Sequence, residues 1–313
     1  MGEMSTAIHR VAIAISLSVA ALVSLNAQSP ADRDQETFRS SVDLVTIQAS
    51  VRDARGRILR GLTPVDFEVR DNGQLRPIID LRSDQRSPVS LAILVDMSGS
   101  MGVGSKIAMV RRAFDSVLAQ LRDGEDEVAV FTFDSSLHER RGFSSHLDSL
   151  KDALDDFEAF GSTSLYDATA DTAQRLAERS TTHRAIVVLT DGVDTSSALT
   201  APEVSGVAGA IDVPVFVVAT VPSVGQRAMQ EAAQSRSSDA ADLRDLAEWT
   251  GGHLLFASTF VDAVVVASRI VDELRQQYVL AIEASNFHEW RRLQVRVKQP
   301  SATVKTRSGY FGG

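Results

Sequence analysis

Between about residues 90 and 276 the sequence alternates short apolar runs with longer amphipathic stretches. The apolar runs, built almost entirely from Val, Ile, Leu, Ala and Phe, cover residues 91–95, 127–133, 185–189, 213–218 and 253–256. Segments with helical periodicity lie between them, over 106–121, 147–157, 165–179, 202–210, 240–249 and 260–276. Near-continuous apolar strands separated by helices are typical of a parallel sheet that is buried on both faces. The pattern predicts a doubly wound, mostly parallel α/β fold.

Strands of a different kind flank this region. Residues 44–81 alternate apolar and polar side chains and contain an Asp-Asn-Gly turn at 71–73, and alternation returns at 278–282, 293–298 and 308–311. The first flank, of roughly 40 residues, is small for an independent core. We therefore predict that 41–86 and 277–313 pair into one small antiparallel β-sandwich with the α/β domain, 87–276, inserted between them. Two separate β appendages are the alternative.

The N-terminus has the features of a secretory signal. Arg10 precedes an apolar stretch over 11–25, and Ala27 is a small residue suited to cleavage. We expect a signal peptide over 1–27, a polar linker over 28–40, and an exported protein, periplasmic or secreted, without a membrane span in its mature form. Because Leu25 is a poor residue for the position two before Ala27, an uncleaved N-terminal anchor is the alternative.

Composition and missing motifs exclude several functions. The net charge of −9 argues against a nucleic-acid partner, and the lack of cysteine excludes disulfides, thiol nucleophiles and thiolate metal sites. The segment 99–106 follows a strand and contains glycines, but Ser105 occupies the position where a nucleotide-binding loop has its lysine, so no nucleotide is expected. No Gly-x-Ser-x-Gly motif or metal-spaced histidine pair is present, and we expect a protein that is not an enzyme.

Three polar segments lie where they can meet. Asp96, Ser98 and Ser100 follow the first strand, Thr163 precedes a helix, and Asp191 follows the strand 185–189. Loops at the carboxyl ends of neighbouring parallel strands converge on one crevice. Each motif alone is also an ordinary helix cap or turn, but together they form an all-oxygen set of two carboxylates and three hydroxyls. Such a set suits Mg²⁺, with Mn²⁺ or Ca²⁺ as alternatives, and does not suit zinc or copper.

Other acidic residues are close in sequence to this set. Asp167 is predicted either to hydrogen-bond the ligand loop from outside the metal's coordination shell or to compensate the helix dipole in the first turn. Asp134 and Asp194 are interpreted as solvated turn residues.

The pattern Asp96-x-Ser98-x-Ser100, Thr163 and Thr190-Asp191-Gly192 resembles the metal-ion-dependent adhesion site of the von Willebrand factor A family. The resemblance covers about 88–276, and the flanks are similar to those of exported bacterial proteins that combine this domain with β strands. It implies a Rossmann-like fold in which Ser98 and Ser100 contact the metal directly. It also implies that Asp96 and Asp191 act directly or through water, and that Thr163 becomes a direct ligand when a partner binds.

Residues and resemblance together predict a metal-dependent, adhesion-type protein-binding module. With only two negative charges around a 2+ ion, a coordination position is left for a carboxylate, so the expected partner is a protein that presents Asp or Glu. Met101, Val103 and a loop over 134–146 are expected to set partner choice. The alternative is an assembly factor of an envelope complex, in which the metal only stabilises the loops.

Overall fold

The computed structural model describes residues 44–311, except for 84–85, 157, 182, 193, 211, 222, 236–238 and 286–287. The described residues belong to one compact unit, Val42–Gly313. The predicted signal peptide and linker lie outside the described residues.

A six-stranded sheet forms the centre of the α/β part. Its strands are β5 (Val89–Asp96), β6 (Glu127–Phe133), β7 (Leu137–Ser144), β8 (His183–Thr190), β9 (Val215–Thr220) and β10 (Leu254–Ala257). The strand order is β10-β9-β8-β5-β6-β7, and every neighbouring pair is parallel except β6 and β7. The order reverses direction at β5, so the loops after β5, β6 and β8 open on one crevice.

Helices cover both faces of this sheet. They are α1 (Lys106–Leu118), α2 (Leu165–Ala177), α3 (Ala201–Ala210), α4 (Ser223–Gln234), α5 (Asp239–Thr250) and α6 (Phe260–Arg275). Alternate residues of β5 enter opposite cores: Ile93 packs with side chains of α1 and α6, and Leu94 packs with side chains of α2, α3 and α5. Both faces of the strand are buried, which explains its uninterrupted apolar sequence.

Several elements differ from the sequence predictions, and one of them is α4, which lies where no helix was predicted. The helix expected over 147–157 is wrong: a 3₁₀ turn, Leu147–Leu150, is followed by further turns with hydrogen bonds between residues three apart, such as Ala153 N to the Leu150 carbonyl. Apolar residues at every third position suit this tighter winding. The loop expected over 134–146 is also wrong, because most of it is β7, an exposed edge strand rich in charged residues.

The flanking strands form two antiparallel four-stranded sheets. The strands are β1 (Leu44–Arg52), β2 (Phe67–Asp71), β3 (Gln74–Arg76), β4 (Ile78–Arg82), β11 (Tyr278–Glu283), β12 (Trp290–Val297), β13 (Thr303–Lys305) and β14 (Gly309–Phe311). The sheet orders are β13-β1-β11-β4 and β14-β12-β2-β3, so each sheet mixes strands from both ends of the described chain. One apolar core, which includes Ile47, Val69, Leu280 and Leu293, joins the two sheets.

The predicted fold class, a doubly wound and mostly parallel sheet with a small antiparallel β-sandwich, is confirmed. Polar contacts connect its two parts: Glu273 of α6 bonds Arg52 of β1 at 2.7 Å, and Ser308 donates its N–H to the Trp249 carbonyl of α5 at 2.8 Å. Among the described residues, no helix combines the length and the hydropathy needed to cross a bilayer.

Candidate metal centre

Asp96, the last residue of β5, joins two of the three polar segments. Its side chain is fully buried. One carboxylate oxygen accepts the Ser98 N–H at 2.8 Å, and the other accepts the Thr190 hydroxyl at 2.6 Å. The same Thr190 oxygen accepts the Gly192 N–H at 3.0 Å. The ends of β5 and β8 are therefore locked together around one buried carboxylate.

The environment of Asp96 makes its negative charge costly in the absence of a cation. Burial raises the pKa of Asp96, and the neighbouring Asp191 carboxylate raises it further, although hydrogen bonds from Thr190 and Ser98 oppose the rise. Two carboxylates that share a water-poor crevice repel each other. A bound cation relieves both the desolvation and the repulsion.

Ser98 precedes a 3₁₀ turn, Gly99–Gly102, and Ser100 lies inside it, with the two side chains facing the same way. Their hydroxyl oxygens lie 3.1 Å apart. Ser98 is buried, whereas Ser100 is exposed. The two hydroxyl oxygens therefore lie side by side, one in a buried residue and the other in an exposed residue.

The segment that contains Thr163 is joined to the segment that contains Asp96 by backbone hydrogen bonds. The Gly99 N–H donates to the Gly161 carbonyl at 3.1 Å, and the Phe160 N–H donates to the Met97 carbonyl at 2.8 Å. Thr163, two residues after Gly161, is buried, and its N–H donates to the Thr195 hydroxyl at 2.9 Å. Thr163 thus lies in a loop that is fastened both to the Asp96 segment and to the segment that follows Asp191.

Lys106, the first residue of α1, supplies a positive charge at the same place. Its ammonium donates to the Asp191 carboxylate at 2.8 Å and to the Ser100 carbonyl at 3.0 Å. The side chains of Lys106 and Asp191 are 17% and 7% exposed, so this ion pair is largely withdrawn from water. Because 85 positions separate Lys106 from Asp191, the sequence carries no local signal of this contact.

The interpretation of Asp194 as a solvated turn residue is wrong. Its carboxylate accepts the N–H groups of Leu165 and Tyr166, at 2.8 and 3.2 Å, and the Ser197 hydroxyl at 2.6 Å. It therefore caps α2 from a distant loop and holds the residues just after Thr163. The Asp167 carboxylate accepts the N–H groups of residues 198 and 199, both at 2.9 Å, and so ties α2 to the same loop.

The residues exposed beside this crevice are not all those that the sequence predicted. Met101 is fully buried in the core, so its predicted role in partner choice is wrong. Val103 is 67% exposed, and Phe160, which sequence reasoning missed, is 80% exposed. Because the Phe160 N–H donates to the Met97 carbonyl, the Phe160 backbone lies next to the Asp96–Ser100 segment.

The donor set fits a hard divalent cation. It offers two carboxylates, two adjacent hydroxyls and a buried threonine, and the ammonium on Asp191 is a stand-in cation. In the described part of the chain, no group of three or more His, Cys, Asp or Glu side chains could hold a metal ion. A site here must draw on hydroxyl oxygens as well as carboxylates.

Comparisons with known proteins agree with this geometry. Residues 91–193 match the sequence model of the von Willebrand factor type A domain. No curated protein sequence matches the chain.

Three solved structures are similar to this chain, and the two with a TM-score of at least 0.50 share its fold. Von Willebrand factor type A from Catenulispora acidiphila has a TM-score of 0.50 at 14% identity, over 87% of this chain and 75% of that one. Proximal thread matrix protein 1 from the mussel byssus, with a zinc-occupied MIDAS (metal-ion-dependent adhesion site) motif, has a TM-score of 0.51 at 13% identity, over 72% of this chain and 50% of that one. BatB from Bacteroides thetaiotaomicron has a TM-score of 0.48 at 16% identity, over 60% and 100%. This chain thus spans half the length of the mussel protein.

Residues 91–193 match the von Willebrand factor type A domain in sequence, and they lie in a doubly wound sheet of the same fold class.

Proposed function

We propose that the crevice formed by Asp96, Ser98, Ser100, Thr163 and Asp191 binds one divalent cation and, through it, a carboxylate of a partner protein. In this proposal the chain is a metal-dependent, adhesion-type binding module and not an enzyme. The observation that carries the proposal is the meeting of the Asp96 and Asp191 carboxylates, one of them fully buried, beside the paired hydroxyls of Ser98 and Ser100.

The polarity of the crevice supports binding of an outside group. The Asp96 end is buried and the Ser100 end is exposed, so a cation between them has protein on one side and solvent on the other. With five protein side chains around it, a near-octahedral ion keeps at least one coordination position open. An Asp or Glu side chain of a partner is the natural group to complete its coordination.

The alternative is an assembly factor in which the metal only fastens the loops. Backbone hydrogen bonds already join these loops: Gly99 to Gly161, Phe160 to Met97, and Met97 N–H to the Phe133 carbonyl at 2.7 Å. A metal is therefore not needed as a staple, and this observation favours the binding role.

Oxygen donors favour Mg²⁺, with Mn²⁺ and Ca²⁺ as the next candidates. The mussel protein holds zinc in its motif, so Zn²⁺ belongs among the ions to be tested.

Melting temperature tests the metal. Chelated wild type, Asp96→Asn and Asp134→Asn are titrated with each ion; Asp134 is a matched control because it is a half-exposed acid beside the same loops. We expect wild type and Asp134→Asn to be stabilised and Asp96→Asn to respond little. Equal stabilisation of all three proteins, or of none, contradicts the proposal.

Retention of envelope proteins tests the carboxylate. Immobilised wild type and Asp191→Asn are exposed to an envelope extract with Mg²⁺ or with chelator. Proteins held only by wild type with Mg²⁺, and released by excess free glutamate, support the proposal. Retention that survives both chelator and Asp191→Asn points to the alternative role.

We further propose that the protein is exported, to the periplasm or beyond, through residues 1–27, and that 28–40 is a linker. The division into 41–86 and 277–313 as one β domain and 87–276 as the inserted domain is proposed as well. Its support is the pairing of β1 with β11 and of β2 with β12.

A further inference from the structure

We propose that Lys106 is a tethered competitor of the metal: its ammonium occupies the cation position of the crevice, and a divalent ion binds only by displacing it from Asp191. The proposal rests on the proposed function, because it concerns the same site. It assigns to Lys106 the control of how tightly the crevice holds a cation.

The position of Lys106 supports this assignment. Its ammonium contacts Asp191 and the backbone of Ser100, which are parts of two of the three segments that form the crevice. Lys106 is also the first residue of α1, whose buried face includes Val110 and Phe114. The packed helix fixes the base of the lysine stem, so the ammonium is delivered to Asp191 without a change in the fold.

Charge gives the reason for the competition. Without a metal, the crevice contains two carboxylates in a water-poor setting, and one ammonium partly neutralises them. With a divalent ion on Asp191, an ammonium at hydrogen-bond distance from the same carboxylate is repelled by the ion. The divalent ion and the ammonium therefore compete for the Asp191 carboxylate.

Lys106 can leave without damage to the fold. Its long stem has several rotatable bonds, and the residues before it, Gly104 and Ser105, are exposed. The metal-free state is therefore stable but resists metal, and the metal-bound state releases the ammonium toward the solvent side of the crevice.

The expected effect of Lys106 on metal affinity follows from the strength of its hydrogen bond to Asp191, which must break when the metal binds. A hydrogen bond between charged groups contributes on the order of 10- to 100-fold to an equilibrium constant. Removing the charge of Lys106 should therefore tighten metal binding by about tenfold or more.

The test compares Lys106→Met and Lys106→Gln with wild type by calorimetric titration of Mg²⁺ and Mn²⁺ and by melting temperature in chelator. Lys151→Met is the matched control, because Lys151 forms an exposed ion pair with Asp148 at 2.6 Å, away from the crevice. We expect both Lys106 variants to melt lower than wild type without metal and to bind the ions at least about tenfold more tightly. Lys151→Met should bind like wild type.

Equal or weaker binding by both Lys106 variants overturns the proposal while the metal site itself stands. Binding by a Lys106 variant but not by wild type supports it most strongly. If no protein in the set, including the Lys106 variants, binds any ion, the proposed function fails and the competition fails with it.

Discussion

The Thr190 hydroxyl donates a hydrogen bond to the Asp96 carboxylate at 2.6 Å, and this hydrogen bond connects the ends of β8 and β5 inside the crevice. Thr190 and Asp96 are both fully buried. The bond supports a negative charge that burial disfavours, and it fixes the direction in which the carboxylate points.

Thr190→Val should weaken this arrangement. The substitution removes the donor to Asp96 and leaves the Gly192 N–H without its acceptor, so we expect a loss of about 1–3 kcal/mol in the free energy of unfolding. Metal affinity should fall as well. Urea unfolding and metal titration measure the two effects, with Thr190→Ser as the control that keeps the hydroxyl. If Thr190→Ser loses as much as Thr190→Val, the hydrogen bond is not the cause.

Asp194→Ala should loosen the start of α2. The change removes the acceptor for the N–H groups of Leu165 and Tyr166, and loss of a capping carboxylate costs roughly 1–2 kcal/mol. Because Thr163 lies just before these residues, metal binding should weaken too. Asp171→Ala, an exposed acid on the same helix, should change stability by less than about 0.5 kcal/mol. Equal stability of the two variants would show that Asp194 does not cap the helix.

Asp71 should make the stability of the protein depend on pH in acid. Burial acts to raise the pKa of Asp71, but hydrogen bonds from Arg291 and Ser285 outweigh it, and the pKa is lowered from its ordinary value of 3.8. A carboxylate with a lowered folded-state pKa adds stability above its unfolded pKa, and this stability is lost as the pH falls through the folded value. Asp71→Asn should therefore cost about 3 kcal/mol at pH 7, because it breaks the buried ion pair between Asp71 and Arg291.

The difference between wild type and Asp71→Asn should begin to shrink below about pH 4, near the ordinary pKa of the unfolded carboxyl, and should keep shrinking as the pH falls through the lower folded-state pKa. Urea unfolding between pH 7 and pH 2.5 measures it. Asp80→Asn, at an exposed ion pair with Arg82, should show a small difference at every pH. A gap for Asp71→Asn that stays constant across the range contradicts the assignment.

Phe160 should contribute to partner binding and little to folding. The Phe160 side chain is 80% exposed, so Phe160→Ser should change the free energy of unfolding by less than about 0.5 kcal/mol and leave metal affinity unchanged. Retention of Mg²⁺-dependent partners from an envelope extract should nevertheless fall, because exposed apolar groups beside a site are typical of protein interfaces. Val265→Ser, at an exposed position on α6, is the control. Unchanged retention by Phe160→Ser would exclude this residue from the interface.

The parts of the fold that sequence predicted are those where burial dictates composition. β5 is buried on both faces and must be apolar throughout, so its run of Leu, Ala, Ile and Val is visible in one sequence. β7 pairs on one edge only and carries charged side chains, which left no such signal. The 147–157 segment has apolar residues at a spacing that is compatible with an α-helix and with 3₁₀ turns. The structure has a 3₁₀ turn there.

The site divides in the same way. All candidate ligands except Thr163 lie at or just after strand ends, and Thr163 lies in a loop before a helix; the rule that such loops converge was enough to group them. Asp194 and Lys106 act on residues 29 and 85 positions away, through contacts that exist only in the folded chain. Neither local composition nor spacing marks an acid as a distant cap or a lysine as an occupant of the crevice.

The central claim, that three distant segments surround one cation, is tested most directly by a crystal structure of the protein with Mn²⁺ and an anomalous difference map. The account predicts one strong peak between the Ser98 and Ser100 hydroxyls, at about 2.2 Å from each, with the Lys106 ammonium moved off Asp191. A fully loaded crystal with no peak there, or with its ion bound elsewhere while Lys106 stays on Asp191, would contradict it.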